Sequence, residues 1–173
     1  MANTTFDGPV RSKNGFINIG PGMTKSLTAD TNLTVQDHAG RILLLNDADG
    51  KFTLPAINVN ADSAVAGPGS DPNNLNNIGA SFYFYIETAA TDLDIKTDGT
   101  DKFTGAVMLA VDDGAKKAFV PAAANDVMTF DGGTAGGLAG SVVQVTAVDT
   151  NNYLVHNSLV IATGTIVTPF ANA

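Results

Sequence analysis

The chain of 173 residues has no cysteine and no tryptophan, and its only histidines are His38 and His156. The absence of cysteine excludes disulfide bonds, thiolate metal sites and thiol chemistry, and it leaves the redox compartment undetermined. A zinc site needs three or four clustered ligands, and a histidine base must lie within hydrogen-bonding distance of its nucleophile. Two histidines far apart in sequence therefore give little support to a zinc enzyme or a histidine-dependent hydrolase.

Residues that favour helices are also scarce. Sixteen of the seventeen acidic residues are Asp, with Glu87 the only Glu, and Gln occurs only at Gln36 and Gln144. Asp prefers turns and helix caps, whereas Glu is a fair helix former. Because Gly, Asn and Thr are plentiful, the composition predicts a β-protein with many loops. The length suits one domain, or one domain with an extended arm.

The net charge of −8 argues against a general nucleic-acid binder, which needs a basic surface. Residues 1–28 carry +2, from Arg11, Lys13 and Lys25 against Asp7, and the remaining 145 residues carry −10. This basic start is either a docking device or a chance distribution. No secretory signal is evident at the start, and no apolar run approaches the ~20 residues that span a bilayer. We expect a protein that is made in a cytoplasm and has no membrane partner.

Short apolar or alternating runs predict about ten strands. The clearest is 81–87, with Phe82, Phe84 and Ile86 on one face and Tyr83 and Tyr85 on the other, so it should lie centrally. No amphipathic helix separates the strands, although residues 113–126 could contain a short one. The pattern favours an all-β fold, a single β-sandwich or β-barrel of jelly-roll type. The other predicted strands are 31–36, 41–46, 51–54, 92–96, 106–111, 117–120, 127–130, 141–148, 153–156 and 159–162.

The turn residues indicate the domain organisation. Residues 1–24 are predicted to be an extended N-terminal arm, 25–163 the β-domain and 164–173 a C-terminal tail. Within the domain, residues 58–79 are rich in Asn, Asp, Gly and Pro and are predicted to be an exposed loop. The glycine-rich stretch 131–140 lacks the Gly-Lys-Ser/Thr ending of a phosphate-binding loop. We expect its glycines to supply positive φ angles in a long connection.

Motifs that could support catalysis or metal binding are weak. Ser158 lies two residues from His156, a spacing that is common by chance. Asp47, Asp49 and Gly50, like Asp112 to Gly114, favour turns and lack the twelve-residue calcium-loop pattern. Sixteen Asp residues provide carboxylate pairs anywhere, so they do not indicate a glycosidase. The sequence predicts no enzyme, no cofactor and no metal site.

Five segments, taken in order, resemble small structural proteins of tailed bacteriophages. Residues 40–56 (GRILLLNDADGKFTLPA) resemble a turn followed by Thr-Leu-Pro-Ala that recurs in these proteins. Residues 79–86 (GASFYFYI) resemble their aromatic strand, and residues 132–143 (GGTAGGLAGSVV) their glycine loop and following strand. Residues 162–170 (ATGTIVTPF) are similar to their ending, and residues 5–16 (TFDGPVRSKNGF) to the start of virion proteins from marine phages, cyanophages especially.

The resemblance implies a capsid decoration (cement) protein without catalytic residues. Such a protein binds the outer surface of the major capsid protein shell in the virion and stabilises contacts between capsomers. Its other partner would be itself, as a homotrimer or a dimer, with no nucleic acid. The alternative is a carbohydrate- or receptor-binding module of a fibre or spike. The absence of Trp and the presence of only three Tyr count against that alternative.

A decoration protein needs contact area on its neighbours, and extended arms supply it with few residues. The apolar residues in the predicted arm and tail are either anchors in neighbouring subunits or covers for the ends of this chain's own barrel. The basic residues of the arm are candidates for the same contacts. The predicted contact residues are Phe6, Arg11, Lys13, Phe16, Ile17, Ile19 and Phe170.

Overall fold

The computed structural model describes residues 19–59, 76–112 and 114–172, which form two mixed β-sheets. The prediction of an all-β, sandwich-like domain is confirmed. The large sheet has eight strands in the order β1-β3-β5-β11-β12-β8-β9, with β7 also paired to β12, and the small sheet has five in the order β13-β10-β6-β4-β2. The strands in the described residues are β1 (Thr24–Leu27), β2 (Thr31–Asn32), β3 (Ile42–Leu45), β4 (Lys51–Thr53), β5 (Ser81–Ile86), β6 (Leu93–Lys96), β7 (Lys102–Gly105), β8 (Val107–Ala110), β9 (Lys116–Phe119), β10 (Val127–Phe130), β11 (Val142–Ala147), β12 (Asn152–Ile161) and β13 (Phe170–Ala171).

Two short helical turns lie in segments for which the sequence predicts no helix. A 3₁₀ turn, Pro21–Met23, precedes β1. The predicted strand 31–36 ends at Asn32, and α1 (Val35–His38) follows. Thr34 caps α1, because its hydroxyl accepts a hydrogen bond from the Asp37 backbone N–H at 3.3 Å. The prediction of a possible short helix in 113–126 is wrong, since strand β9 (Lys116–Phe119) lies within that stretch.

The first half of the chain winds between the two sheets. β1, β3 and β5 are parallel neighbours in the large sheet, while β2, β4 and β6 are parallel neighbours in the small one. Parallel strands need a crossover connection, usually a helix. Here each crossover includes a strand of the opposite sheet. The turn at Asp49 and Gly50 therefore joins the two sheets and does not close a hairpin, which departs from the antiparallel pairing of a jelly roll.

The inward faces of both sheets share one hydrophobic core. Phe82, Phe84 and Ile86 of β5 have no exposed surface, and β5 lies between β3 and β11 as predicted. Phe52 of β4 and Phe130 of β10 meet them from the small sheet and are equally buried. Burying one such side chain stabilises the fold by roughly 1.5–3 kcal/mol, so the alternating pattern determines which face of each strand turns inward.

β12 combines two predicted strands, 153–156 and 159–162, into one. Tyr153 and Val155 are buried before Asn157, and Val160 is buried after it, so the buried parity changes along the strand. Asn157 has a φ of 45°, and the register between β11 and β12 shifts by one residue there. A β-bulge of this kind lets a long strand bend without losing its core face. The sequence indicates a break here because the polar residues His156, Asn157 and Ser158 separate two apolar runs.

The prediction that glycines in 131–140 supply positive φ angles is confirmed. Gly132, Gly136, Gly137 and Gly140 all have positive φ angles. Asp131 organises the turn by accepting hydrogen bonds from the backbone N–H groups of Gly133 at 2.7 Å and Ala135 at 2.8 Å. Burial alone would raise the pKa of Asp131, but these hydrogen bonds outweigh it and hold the pKa below its usual range.

The predicted tail, residues 164–173, is corrected by the structure. Phe170 and Ala171 form β13 against β10, and Phe170 is only 7% exposed. Its ring lies 6.3 Å from that of Phe103, centroid to centroid. The Thr129 N–H also donates to the Pro169 carbonyl at 2.8 Å. The chain therefore adds an edge strand and a core aromatic after residue 164, so the domain extends further than the sequence predicts.

The predicted loop 58–79 is described only at its two ends. Asn77 joins them, because its side-chain oxygen accepts from the Asn58 N–H and its amide donates to the Ala56 carbonyl, both at 2.8 Å. Asn77 is 6% exposed, so these hydrogen bonds are shielded from water. A buried amide with its donors and acceptors satisfied gives the base of this loop one fixed geometry.

His38 is a buried titratable group in α1. The residue is 4% exposed, its Nδ1 accepts from the Thr34 N–H at 2.9 Å, and within the described chain its Nε2 has no hydrogen-bond partner. Burial, assisted by the nearby charge of Lys25, lowers the pKa of His38 below its ordinary 6.5. The folded protein therefore binds fewer protons than the unfolded chain below that pH, and its free energy of unfolding decreases as the pH falls further.

We expect His38→Asn to flatten this pH dependence, because Asn offers an acceptor near the Nδ1 position and does not titrate. The measurement is the urea midpoint of both proteins between about pH 7.5 and pH 5. Asp47 and Asp101, whose pKa values are raised, act in the opposite direction but are present in both proteins. Parallel profiles for wild type and variant would show that His38 does not cause the loss at low pH.

Candidate interaction surface

The outward side of the large sheet is the most distinctive surface of the described chain. In β3, β5, β11, β12 and β8 the side chains alternate between the core and this side. Cross-strand pairing aligns them in rows, for example Ile42 beside Tyr83 and Tyr83 beside Gln144. We call this set the uncharged face; its members are Ile42, Leu44, Ser81, Tyr83, Tyr85, Met108, Val142, Gln144, Thr146, Leu154, His156 and Leu159.

Large apolar side chains are exposed on this face. Ile42 is 40% exposed, Met108 41% and Leu159 51%. Leu159 and Met108 immediately precede the paired residues Val160 and Leu109, so they are neighbours on the outer side. Tyr85 of β5 is half-buried and lies between β3 and β11, and its register partner on β11 is Val142. A continuous apolar band of this kind on a sheet usually marks a contact surface.

The five strands that carry this face contain no Asp, Glu, Lys or Arg. The outer side of the small sheet is different. There the Lys51 Nζ lies 2.9 Å from a carboxylate oxygen of Asp94 and 3.5 Å from one of Asp92. The Thr129 hydroxyl donates to the other Asp94 oxygen at 2.6 Å. The outer side of the small sheet is therefore hydrated and charged, whereas these five strands form a neutral area in a protein of net charge −8. The charged strand residues of the large sheet lie in β1, β7 and β9, and they are Lys25, Lys102, Lys116 and Lys117.

The polar groups at the centre of the uncharged face are bonded to one another. The Ser81 and Thr146 hydroxyl oxygens lie 2.9 Å apart, and the Gln144 amide donates to Ser81 at 2.7 Å. Thr146 also pairs with His156 Nε2 at 2.8 Å, and the Asn157 amide donates to the Gln144 oxygen at 2.9 Å. Covering a polar group costs least when it already has a partner. This network therefore lowers the penalty for removing the face from water.

A shallow depression of about 360 Å³ lies at the β3–β5 end of the face. Its lining includes Arg41, Tyr83 and Gln144. A second depression, lined by Ile19, Met23 and Arg41 among others, shares that rim. The described chain thus begins, at Ile19, beside the uncharged face.

The predicted contact residues are not brought together in the described chain. Phe6, Arg11, Lys13, Phe16 and Ile17 lie outside the described residues, so their contacts stay predictions. Ile19 is 84% exposed and is available to a partner. Phe170 is a core residue of its own chain, in line with the stated alternative that these apolar residues cover this chain's own domain, and its contact with a neighbour stays a prediction.

The sequence-based prediction missed the uncharged face, although a signal for it was present. The runs 42–45, 81–86, 107–110, 142–147 and 152–161 lack charged residues, whereas 51–53 and 93–96 contain Lys or Asp. Grouping predicted strands by charge would have brought these five runs together, although β10 of the small sheet is also uncharged and β1, β7 and β9 of the large sheet contain Lys. What the sequence could not supply was the pairing that places the uncharged strands side by side.

The candidate groups for nucleophilic catalysis have other partners. The Ser158 hydroxyl donates to the Ala106 carbonyl at 3.1 Å and accepts from the Met108 N–H at 3.2 Å, both near β8. His156 bonds Thr146 of β11, on the opposite side of β12. Asp47 has a raised pKa, mainly from desolvation and from the adjacent Asp49. His156 and Ser158 therefore bond to other groups, and this base does not contact this nucleophile.

The described residues, 19–59, 76–112 and 114–172, also bear on a metal site and a membrane span. They contain no group of three or more His, Asp or Glu side chains placed to bind a metal ion. No helix there has the length and hydropathy of a bilayer-spanning segment. Comparison of the chain with protein-family models, with curated proteins and with solved structures finds no match.

Proposed function

We propose that this chain is a structural binding protein of a virus particle, a decoration protein that packs on the outer surface of a phage capsid. The observation that carries the proposal is the uncharged face. A sheet that presents apolar side chains and an already bonded polar network, without a charged residue in its five strands, is suited to packing against protein. The resemblance of five segments, in order along the chain, to structural proteins of tailed phages is the reason for naming a phage capsid as the particle.

The two sides of the sandwich suit this role. A protein on a particle surface has one side packed against subunits and another side facing water. The outer side of the small sheet, with the Lys51, Asp92 and Asp94 ion pairs, can remain hydrated. The Lys51–Asp92 pair, the more exposed of the two, adds little stability, roughly 0–1 kcal/mol.

A second candidate function is carbohydrate binding, favoured by the depression that Tyr83 and Arg41 line. Aromatic faces and polar side chains are the usual components of a sugar site. The Gln144 and Ser81 groups are, however, already bonded to neighbours, which leaves Arg41 as the main free donor of that depression. A glycan array separates the two functions, since binding to a defined sugar class would favour this candidate.

The direct test is co-sedimentation of the purified chain with shells assembled from the major capsid protein of the same phage. We expect saturable binding, and an icosahedral reconstruction of the decorated shell should show density for the two-sheet domain on its outside. Absence of binding to intact shells would overturn the proposal.

Deletion of residues 2–18 tests the predicted arm. The segment contains Phe6, Phe16 and Ile17, and each apolar anchor buried in a neighbour contributes roughly 1.5–3 kcal/mol. We expect shell occupancy at fixed protein concentration to fall by about tenfold or more. The residues of the hydrophobic core lie within the described ranges 19–59, 76–112 and 114–172, so the truncated chain should keep the wild-type urea midpoint. Unchanged occupancy would exclude the arm as a contact and leave the body of the proposal standing.

A further inference from the structure

We propose that a second copy of this chain packs on the uncharged face, so that the protein is a two-fold dimer joined through its large sheets. The inference builds on the proposed function, which takes the uncharged face as a surface that packs against protein, and it names a second copy as the protein that occupies it. Contact with the shell then falls to other parts of the molecule, so the face supports the proposed function as a sign of assembly and not as the shell contact itself.

Charge is the first reason for a second copy. Each chain carries −8, so two copies repel one another over most of their surfaces. In a two-fold contact the same patch lies on both partners, so every charge in it meets a symmetry-related patch of identical charge. The uncharged face avoids this, because β3, β5, β11, β12 and β8 contain no Asp, Glu, Lys or Arg. The outer side of the small sheet, with Lys51, Asp92 and Asp94, does not avoid it.

The hydrogen bonds among the polar groups of this face are the second reason for a second copy. Ser81, Gln144, Thr146 and His156 form one network by hydrogen bonds of 2.7–2.9 Å. A partner that covers them need not supply matching donors or acceptors, and an identical face can do so with its own network satisfied. Leu159 and Met108, at 51% and 41% exposed, provide the apolar area that drives the association.

The extent of the face agrees with a small dimer interface. Five strands at about 4.8 Å spacing and three rows of outward side chains at about 6.8 Å spacing give roughly 500 Å² of projected area per copy. Twice that area is about 1,000 Å², the lower limit for a specific contact. We therefore expect a dimer that dissociates on dilution.

Symmetry determines the number of copies. A trimer requires two different complementary patches on each subunit, whereas a dimer requires one patch that matches itself. In the described residues, the outer side of the small sheet is charged and does not provide a second patch of the same kind. The resemblance implies a homotrimer or a dimer, and of these two the face favours the dimer.

Sedimentation equilibrium of the full chain over a concentration series tests the dimer. Leu159→Lys places an ammonium group in the interface, and we expect it to raise the dimer dissociation constant by roughly 100-fold. Asn32→Lys adds the same charge at the exposed end of β2 and should leave the constant unchanged. A wild-type chain that stays monomeric, or two variants that dissociate alike, would overturn the inference.

Cysteine crosslinking tests the geometry without a buried charge. The chain has no cysteine, so Val142→Cys at the start of β11, the middle strand of the face, provides a single thiol. A short bismaleimide should link this variant into covalent dimers, whereas Asn32→Cys should stay unlinked. Equal yields would contradict packing through this face. A monomer that binds shells overturns this inference alone, and a dimer that does not bind them overturns the proposed function alone.

Discussion

Substitution of Gly132 by alanine is expected to destabilise the protein by about 2–5 kcal/mol. Gly132 has a φ of 68°, and a Cβ built on it would lie only 2.1 Å from the Ala90 carbonyl oxygen. A non-glycine residue in this conformation costs roughly 1–2 kcal/mol, and displacing packed backbone costs a further 1–3 kcal/mol. Against a total stability of ~5–15 kcal/mol, the change removes a large share. The urea midpoint measures it.

Gly133→Ala is the matched control for this prediction. Gly133 lies in the same loop, its φ is not positive, and the nearest atom to an added Cβ is an Asp131 oxygen at 3.6 Å, an ordinary contact. We expect an effect within about 0.5 kcal/mol of zero, or slight stabilisation through a less flexible unfolded chain. If both alanine variants were equally stable, close approach to Ala90 would not be the reason for glycine at position 132.

The glycine stretch shows how far sequence reasoning extends here. Its composition indicates positive φ angles, and four glycines within 131–140 have them. It does not show that Gly132 approaches Ala90, because that contact comes from the winding of β5 and β6 between the two sheets. Local chemistry was therefore predictable, and contacts between distant segments were not.

The strands illustrate the same limit. The alternation in 81–87 predicts the central position of β5, because both of its faces carry large side chains. The parallel pairing of β1, β3 and β5 was not predictable, since period-two patterns determine a face and not a partner. The burial of Phe170 was not predictable for a related reason. It follows Thr168 and Pro169 and no apolar alternation surrounds it, yet the fold places its ring against that of Phe103.

The uncharged face was not predictable from the sequence for the same reason. Each of its strands reads as an ordinary core strand, because half of its residues do face the core. Only the pairing of β5 with β11 and of β11 with β12 brings Tyr83, Gln144 and His156 into one row. Residues that form an interaction surface on a sheet are separated in sequence by whole strands, so no local motif identifies them.

Tyr153→Ala is expected to cost about 3–5 kcal/mol, as for other large aromatic side chains removed from a core. Tyr153 has no exposed surface, and its hydroxyl donates to the Pro55 carbonyl at 2.6 Å. Burial, with the nearby carboxylates of Asp101 and Asp98, raises the pKa of Tyr153 above its usual range, so the hydroxyl stays protonated and remains a donor. The residue thus joins β12 to the segment that follows β4.

Tyr153→Phe separates the two contributions. It keeps the ring in the core and removes only the hydrogen bond to Pro55, so we expect a loss of roughly 1–2 kcal/mol. Asp101→Asn adds a neighbouring control, because the amide oxygen can still accept from the Ile57 N–H, which lies 2.8 Å from the Asp101 carboxylate. Burial raises the pKa of Asp101, so removing its charge should be neutral or stabilising near pH 7. Equal losses for Tyr153→Phe and Tyr153→Ala would assign the whole effect to the hydroxyl and contradict the packing argument.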